Sequence, residues 1–366
     1  MPILNKIVIR DFRNIVLQEL EFSPNVNCIS GGNGEGKTNL LDAIWYLSMT
    51  KSAFSLSDRF NFRHGCGEFA LSGVYDLPDG SNTRISVRVA DGADKKLNRD
   101  GKPYTRISDH VGLIPIVMVS PADTSMVSES GEERRKFVNS VLSQMSGAYL
   151  NDVQQYNRLL LQRNRLLKDG NPDESLLDVL DERMSALAEP ISKRRQELSD
   201  GLNPIVQRYY DGISGGAGEV AVQYVTDLSR GRLKDLLSAS RHRDSLLKYT
   251  TAGIQRDDFI FALDGYPIRR FGSQGQQKSF LVALKFAQYE LMKEACGFAP
   301  ILLLDDLFDK LDLGRVSNLL SMVAGTEFGQ IFITDSNKVR IRSLVDGVTA
   351  ARTYYEAEGG VFTCSE

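Results

Sequence analysis

The residues that most constrain the fold are Gly31-Gly32-Asn33-Gly34-Glu35-Gly36-Lys37-Thr38. They fit GxxxxGK[ST], follow an apolar segment (Val26, Cys28, Ile29) and open a helical run from Lys37 to about Leu47. Strand, glycine loop and helix in that order make a phosphate cradle. Glycines let successive N–H groups turn toward one anion, and the helix adds the positive end of its dipole. In such a loop Lys37 reaches the β- and γ-phosphates, and the Thr38 hydroxyl ligates Mg²⁺. The bland alternative is a chance match in a chain with 31 glycines, and the flanking strand and helix argue against it.

The rest of the chain shows what surrounds this unit. Its 366 residues suggest roughly two domains. Strand patterns occupy most of residues 1–120, notably 1–12, 17–22, 69–75, 83–89 and 114–119. From about 132 to 202 the pattern is helical, with Leu159, Gln162, Arg163, Leu166 and Leu167 three or four apart and a break at Asp169-Gly170-Asn171-Pro172. A strand (220–225), a helix (233–249) and a strand (259–263) follow. Strands then alternate with helices, at 276–295, 301–304, 316–323 and 330–334. That alternation implies an α/β core with a parallel sheet, interrupted by a mostly helical insert. The expected divisions are residues 1–121, 122–248 and 249–366.

The net charge of −3 is nearly even along the chain, at +1 over residues 1–120, −1 over 121–250 and −3 over 251–366. No region is a basic nucleic-acid domain by composition, so holding DNA requires positive charge gathered on a surface by folding or supplied through a dimer or partner. No apolar run reaches the roughly 18–20 residues of a membrane helix. Four scattered cysteines without CxxC spacing argue against a zinc or disulfide framework. A cytoplasmic location is expected.

Two further motifs carry chemistry. Ile301-Leu302-Leu303-Leu304-Asp305-Asp306 is an apolar strand ending in two carboxylates. At the edge of a parallel sheet, Asp305 can hold Mg²⁺ through water and Asp306 can orient or deprotonate an attacking water. Alone, the same pattern also fits a helix N-cap. An aspartate at 306 is one methylene shorter than a glutamate, so slow hydrolysis is expected. Ser273-Gln274-Gly275-Gln276-Gln277-Lys278 opens a long helix, an anion-site pattern that is redundant within one chain unless it faces the γ-phosphate of another subunit. A plainly capped helix is the competing reading.

Together these residues resemble the ABC-type ATPase heads of the SMC-like branch, and within it the RecF family of bacterial recombination mediators. The resemblance covers nearly the whole chain. It rests on Asp11-Phe12-Arg13-Asn14, residues 31–38 (Walker A), Lys51-Ser52, Ser120-Pro121-Ala122-Asp123, Gly253-Ile254-Gln255-Arg256-Asp257-Asp258, residues 273–278 (signature), residues 303–306 (Walker B) and the D-loop with Asp309 and Asp312. It departs from the family pattern at Ile254-Gln255, where Pro-His is usual. It departs again at Ala53-Phe54, where an arginine is usual, and at Thr334-Asp335, the switch-histidine position.

The resemblance implies an ABC-type head binding ATP and Mg²⁺, with residues 31–38 and Arg13 at the nucleotide and Thr38 and Asp305 at the metal. It implies catalytic roles for Lys37 and Asp306, and for Ser273 acting with Gln274, Gly275 and Gln276 from the second copy of an ATP-dependent homodimer. It further implies DNA binding at single-strand/double-strand junctions, with RecR and possibly RecO as partners in loading RecA, and no membrane partner. Candidate DNA contacts are Arg134-Arg135-Lys136, Arg163 with Arg165, and Lys193-Arg194-Arg195. Each such cluster is more often a solvated helix face. Another ABC motor or a nucleotide-dependent scaffold are the rival readings.

Overall fold

The computed structural model describes residues 1–169, 173–216, 218–306, 328–345 and 351–365. The chain divides into two compact units, one of residues 1–124, 208–217 and 274–366, the other of residues 125–207 and 218–273. The second unit therefore extends to Ser273, past the expected boundary at 248. The strand expected at 259–263 pairs inside it rather than in the first unit's sheets.

Among the described residues the first unit holds two six-stranded sheets. One is antiparallel, in the order Ile15–Glu21, Ile3–Phe12, Glu68–Asp76, Asn82–Ala90, Lys96–Arg99, Lys102–Pro103. Alternating burial along Asn82–Ala90 reflects one packed and one wet face. The other runs Val361–Ser365, Arg352–Glu358, Val26–Ser30, Ile331–Asp335, Ile301–Leu304, Ile116–Val119, and only its Val361–Ser365 pairing is antiparallel. Its strands Val26–Ser30, Ile331–Asp335, Ile301–Leu304 and Ile116–Val119 are buried along their whole length, as parallel strands covered on both faces must be. The final hairpin was not read from the sequence, although Gly359-Gly360 between alternating segments is a turn signal.

The helix Lys37–Met49 lies in the core shared by the two sheets, with Leu40, Leu41, Ile44 and Leu47 fully buried. Phe12, Tyr46 and Phe69 meet edge to face at 5.1–6.3 Å, and the Tyr46 hydroxyl donates to Asp58 Oδ1 at 2.7 Å. Buried Gln330 ties the sheets together: its amide donates to the carbonyls of Leu4 and Ser23, and its carbonyl accepts from Leu4 N.

His110 is fully buried between the Leu47 carbonyl at 2.7 Å and the Tyr104 hydroxyl at 3.0 Å. Nε2 donates to the carbonyl, so Nδ1 accepts from the hydroxyl and the ring is neutral. Burial holds its pKa below the ordinary 6.5. Below 6.5 the unfolded chain takes up a proton that the folded chain resists, so stability is lost as pH falls from that value toward the folded pKa. Chemical denaturation of the parent and His110→Gln across this window should show a slope in the parent that the variant lacks. Parallel slopes would refute it.

The second unit is built on the helices Gly131–Met145, Gly147–Lys168, Glu174–Ser214 and Leu233–Leu247 with a three-stranded sheet, Val220–Val225, Asp258–Leu263 and Tyr266–Pro267. The last part of Glu174–Ser214, about two turns from Arg208 on, belongs to the first unit. Edge strand Val220–Val225 leaves its outer backbone groups to Ser199, Asn203 and Gln207, spaced one helical turn apart. This covers an edge that would otherwise invite pairing with another chain. Among the described residues no helix is long and apolar enough to cross a membrane.

Candidate nucleotide site

The phosphate loop leaves Val26–Ser30, the middle of the parallel sheet, and Gly36 caps the helix Lys37–Met49 with φ +105. A Cβ there would be strained and would meet Asn14 Nδ2 at 2.8 Å, so the site requires glycine. Lys37 is only 4% exposed, and its ammonium donates to the carbonyls of Gly31 at 2.8 Å and Gly32 at 2.9 Å. Asn33 and Gly34 are exposed at the loop tip. Glu35 is held by the final hairpin: its carbonyl accepts from Gly360 N at 3.0 Å and its carboxylate from Gly359 N. That support was not foreseen.

Thr38 and Asp305 come together across 267 residues of sequence, the hydroxyl lying 2.9 and 3.1 Å from the carboxylate oxygens. Strand Ile331–Asp335 lies between Val26–Ser30, which leads into the loop, and Ile301–Leu304, which ends at Asp305, and its Thr334 completes the arrangement. The Thr334 hydroxyl donates to Asp305 Oδ1 at 2.7 Å and accepts from Asp306 N at 2.9 Å. In the sequence Thr334 stands out only as a departure from the switch-histidine pattern. Its role depends on strand order, which no local pattern reports. Asp306 adopts φ +42, turning the chain at the strand tip.

Burial pushes the Asp305 carboxyl above its ordinary value, and the Asp306 charge adds to the rise. The hydroxyls of Thr334 and Thr38 and the Lys37 ammonium oppose it. A divalent cation would offset the cost of keeping that carboxylate ionised. A hydroxyl and a carboxylate are hard oxygen donors, and Mg²⁺ is commonly held by one or two such groups plus phosphate oxygens. The residues therefore fit a magnesium–nucleotide pair. Among the described residues no group of three or more His, Cys, Asp or Glu offers a metal cage.

Arg13 sits behind the loop. It pairs with Asp42 at 2.6 Å and donates to Asn39 Oδ1 at 3.0 Å, Ser52 at 3.0 Å, Ser55 at 3.1 Å and Asn61 at 3.2–3.3 Å. Burial raises Asp42 and the Arg13 charge lowers it. Ser52 and Ala53 N complete the Asp42 shell, which gives Ser52 of the Lys51-Ser52 motif a structural role. Arg13 thus fixes the helix that carries Lys37 and Thr38.

Ser273 directly precedes the helix Gln274–Cys296. Ser273 and Gln274 are exposed, and Gly275 and Gln276 are half-buried. Asp309 and Asp312, and the helix expected at 316–323, lie outside the described residues.

The candidate DNA contacts divide by burial. Arg163 is fully buried, donating to Asp181 at 2.6 Å, Asp244 at 2.7 Å and Thr250 at 2.9 Å. Arg195 is 3% exposed and holds Asp257 at 2.5 Å, the Ile254 carbonyl at 2.8 Å, Asn139 at 3.1 Å and Tyr149 at 3.2 Å. Neither can meet a surface ligand, so both leave the list. Arg134 is spent on a two-pronged pair with Asp258 at 2.8 and 3.0 Å, and Arg135 on the Asp257 carbonyl at 2.7 Å. Lys136 pairs with Glu132 and Glu133, and Lys193 and Arg194 lie 3.6–4.0 Å from Glu197. Arg165 is exposed. A signal existed for Arg163: it falls in the buried stripe Tyr156, Leu159, Leu167 of its helix.

A glycine cradle at the centre of a parallel sheet, a buried lysine in it and a Thr38–Asp305 pair that joins the helix after the loop to the tip of a nearby strand define a P-loop head of the ABC type. The comparisons with known proteins agree. Residues 3–354 match the family of RecF/RecN/SMC N-terminal domains. The DNA replication and repair protein RecF of Phocaeicola vulgatus is 41% identical over 99% of this chain and 98% of its own. RecF of Porphyromonas gingivalis (strain ATCC 33277) is 39% identical over 98% and 99%. A solved structure of the recombination mediator protein RecF with ATP, from the RecFOR pathway, superposes with a TM-score of 0.90 at 28% identity, covering 100% of this chain and 98% of that one. The Smc head of Pyrococcus furiosus bound to the C-terminal domain of ScpA shares the fold, at TM-score 0.59 and 14% identity, over 100% and 96%. The chain belongs to the RecF family of DNA replication and repair proteins.

Proposed function

We propose that this chain is an ATP-switched DNA-binding protein of replication and repair, with two copies clamping ATP between them. The observation that carries this reading is the Lys37 and Thr38–Asp305–Thr334 constellation, whose donors suit a triphosphate and Mg²⁺. Lys37 and the loop N–H groups take the phosphates, Thr38 and Asp305 hold the metal, and Asp306 positions water. The metal supplies charge neutralisation at the phosphates when bound. Ser273 and Gly275 of the second copy cap the γ-phosphate. ATP closes the dimer only through contacts that exist in the closed state, and slow hydrolysis reopens it. The DNA target is a single-strand/double-strand junction, and the proteins served are RecR, with RecO, in loading RecA. Kinship to relatives named for DNA replication and repair supports this part.

Sedimentation and DNA binding with ATP, ADP or no nucleotide test the reading. Dimers and tight DNA binding should require ATP. Ser273→Arg should bind ATP as the parent does and stay monomeric, because an added cation and bulk disrupt the cap. A dimer fraction that is the same in all three conditions would remove the energy source of the switch.

A further inference from the structure

We propose that Tyr266, Arg269, Arg270 and Phe271, in the second unit, form a contact for single-stranded nucleic acid, an inference that rests on the DNA-binding reading above. The antiparallel pair Asp258–Leu263 and Tyr266–Pro267 runs into the short helix Ile268–Phe271. Ile268 is 1% exposed and anchors the turn, while Tyr266 is 59% and Phe271 65% exposed. Their rings sit 5.1 Å apart at 51°, and both side chains are exposed. Arg269 and Arg270, between them in sequence, are exposed and make no ion pair among the described residues. Asp264, at the hairpin tip, accepts from Glu219 N at 2.8 Å.

Guanidiniums that are unpaired among the described residues, flanked in sequence by two exposed rings, fit a polymer that alternates phosphates with flat bases. A mononucleotide fits less well, since such ligands are mostly enclosed and these rings are mostly bare. An acidic peptide would use the arginines but not the ring faces. The basic clusters on the helices are largely engaged, whereas these two arginines have no ion pair among the described residues.

The test uses full-length protein with ATP and fluorescein-labelled oligo-dT, with a duplex of equal length as a second probe. Arg269→Glu/Arg270→Glu should lower oligo-dT affinity at least tenfold at low salt and flatten the slope of log K against log[salt] by about 1.4. Tyr266→Ala/Phe271→Ala should lower it roughly tenfold with the slope unchanged. If charge reversal disturbs the melting temperature, Arg269→Gln/Arg270→Gln replaces it, with a smaller loss expected. A parent that binds oligo-dT while neither variant differs overturns the patch and leaves the DNA reading standing. Loss on charge reversal alone overturns the single-strand assignment. Variants that keep oligo-dT affinity but lose ATP-dependent dimerisation assign the patch to a second copy instead. A parent that binds neither probe overturns both readings.

Discussion

Lys37→Ala should lower ATP affinity by roughly 10²–10⁴-fold while leaving the fold nearly intact. The ammonium is buried at the loop, where two charge-assisted hydrogen bonds to phosphate oxygens are worth about 1.5–3 kcal/mol each. At about 1.4 kcal/mol per tenfold, that gives the stated range. The cost to stability is small, because the Gly31 and Gly32 carbonyls left behind are not buried and water can replace the donor. Titration calorimetry with ATP·Mg²⁺ and a thermal melt of the same sample separate the two effects. Lys37→Arg should not restore binding, since a planar fork cannot reproduce a compact point charge in a closed loop. An affinity loss below about tenfold for the alanine variant would show that the loop does not grip the triphosphate through this lysine.

Arg163→Met should cost roughly 3–5 kcal/mol of stability, the usual penalty for removing one partner of a buried ion pair. The guanidinium joins three helices, reaching Asp181 on Glu174–Ser214 and Asp244 on Leu233–Leu247 from its own Gly147–Lys168. Without it Asp181 retains Arg241, but Asp244 retains only hydroxyls and an amide, from Ser240 and Thr251. An anion without a counter-charge in an interior is far more costly than a missing apolar contact. Urea unfolding would register the loss, and Arg163→Lys should recover only part of it, with one point charge in place of a fork. A variant within about 1 kcal/mol of the parent would mean that water reaches Asp244 and replaces the guanidinium. DNA affinity of the folded fraction should not change, because the side chain never reaches solvent.

The two predictions mark how far the sequence could be read. Lys37 was legible because a phosphate cradle is local: eight consecutive residues and their flanks specify backbone direction, charge and helix start together. Val26–Ser30, Ile301–Leu304 and Val220–Val225 were legible at their ends for a similar reason, since apolar runs bounded by turn residues have one economical conformation. Arg163 was misread because a charge in a basic run is ordinarily wet, and only helix phase hinted otherwise.

The sequence by itself determined the anion-binding loop, the acidic strand tip and the α/β class, all of which follow from short-range pattern. Tertiary structure alone decided that Ile331–Asp335 separates the two nucleotide strands and so gives Asp305 its Thr334 partner. It alone decided that the Gly359-Gly360 turn braces Glu35, and that two of the eight proposed DNA-contacting cations are interior struts. The physical reason is common to all three. Strand order and burial are set by which apolar faces find each other across hundreds of residues, and a residue's partners are fixed only when that packing is complete.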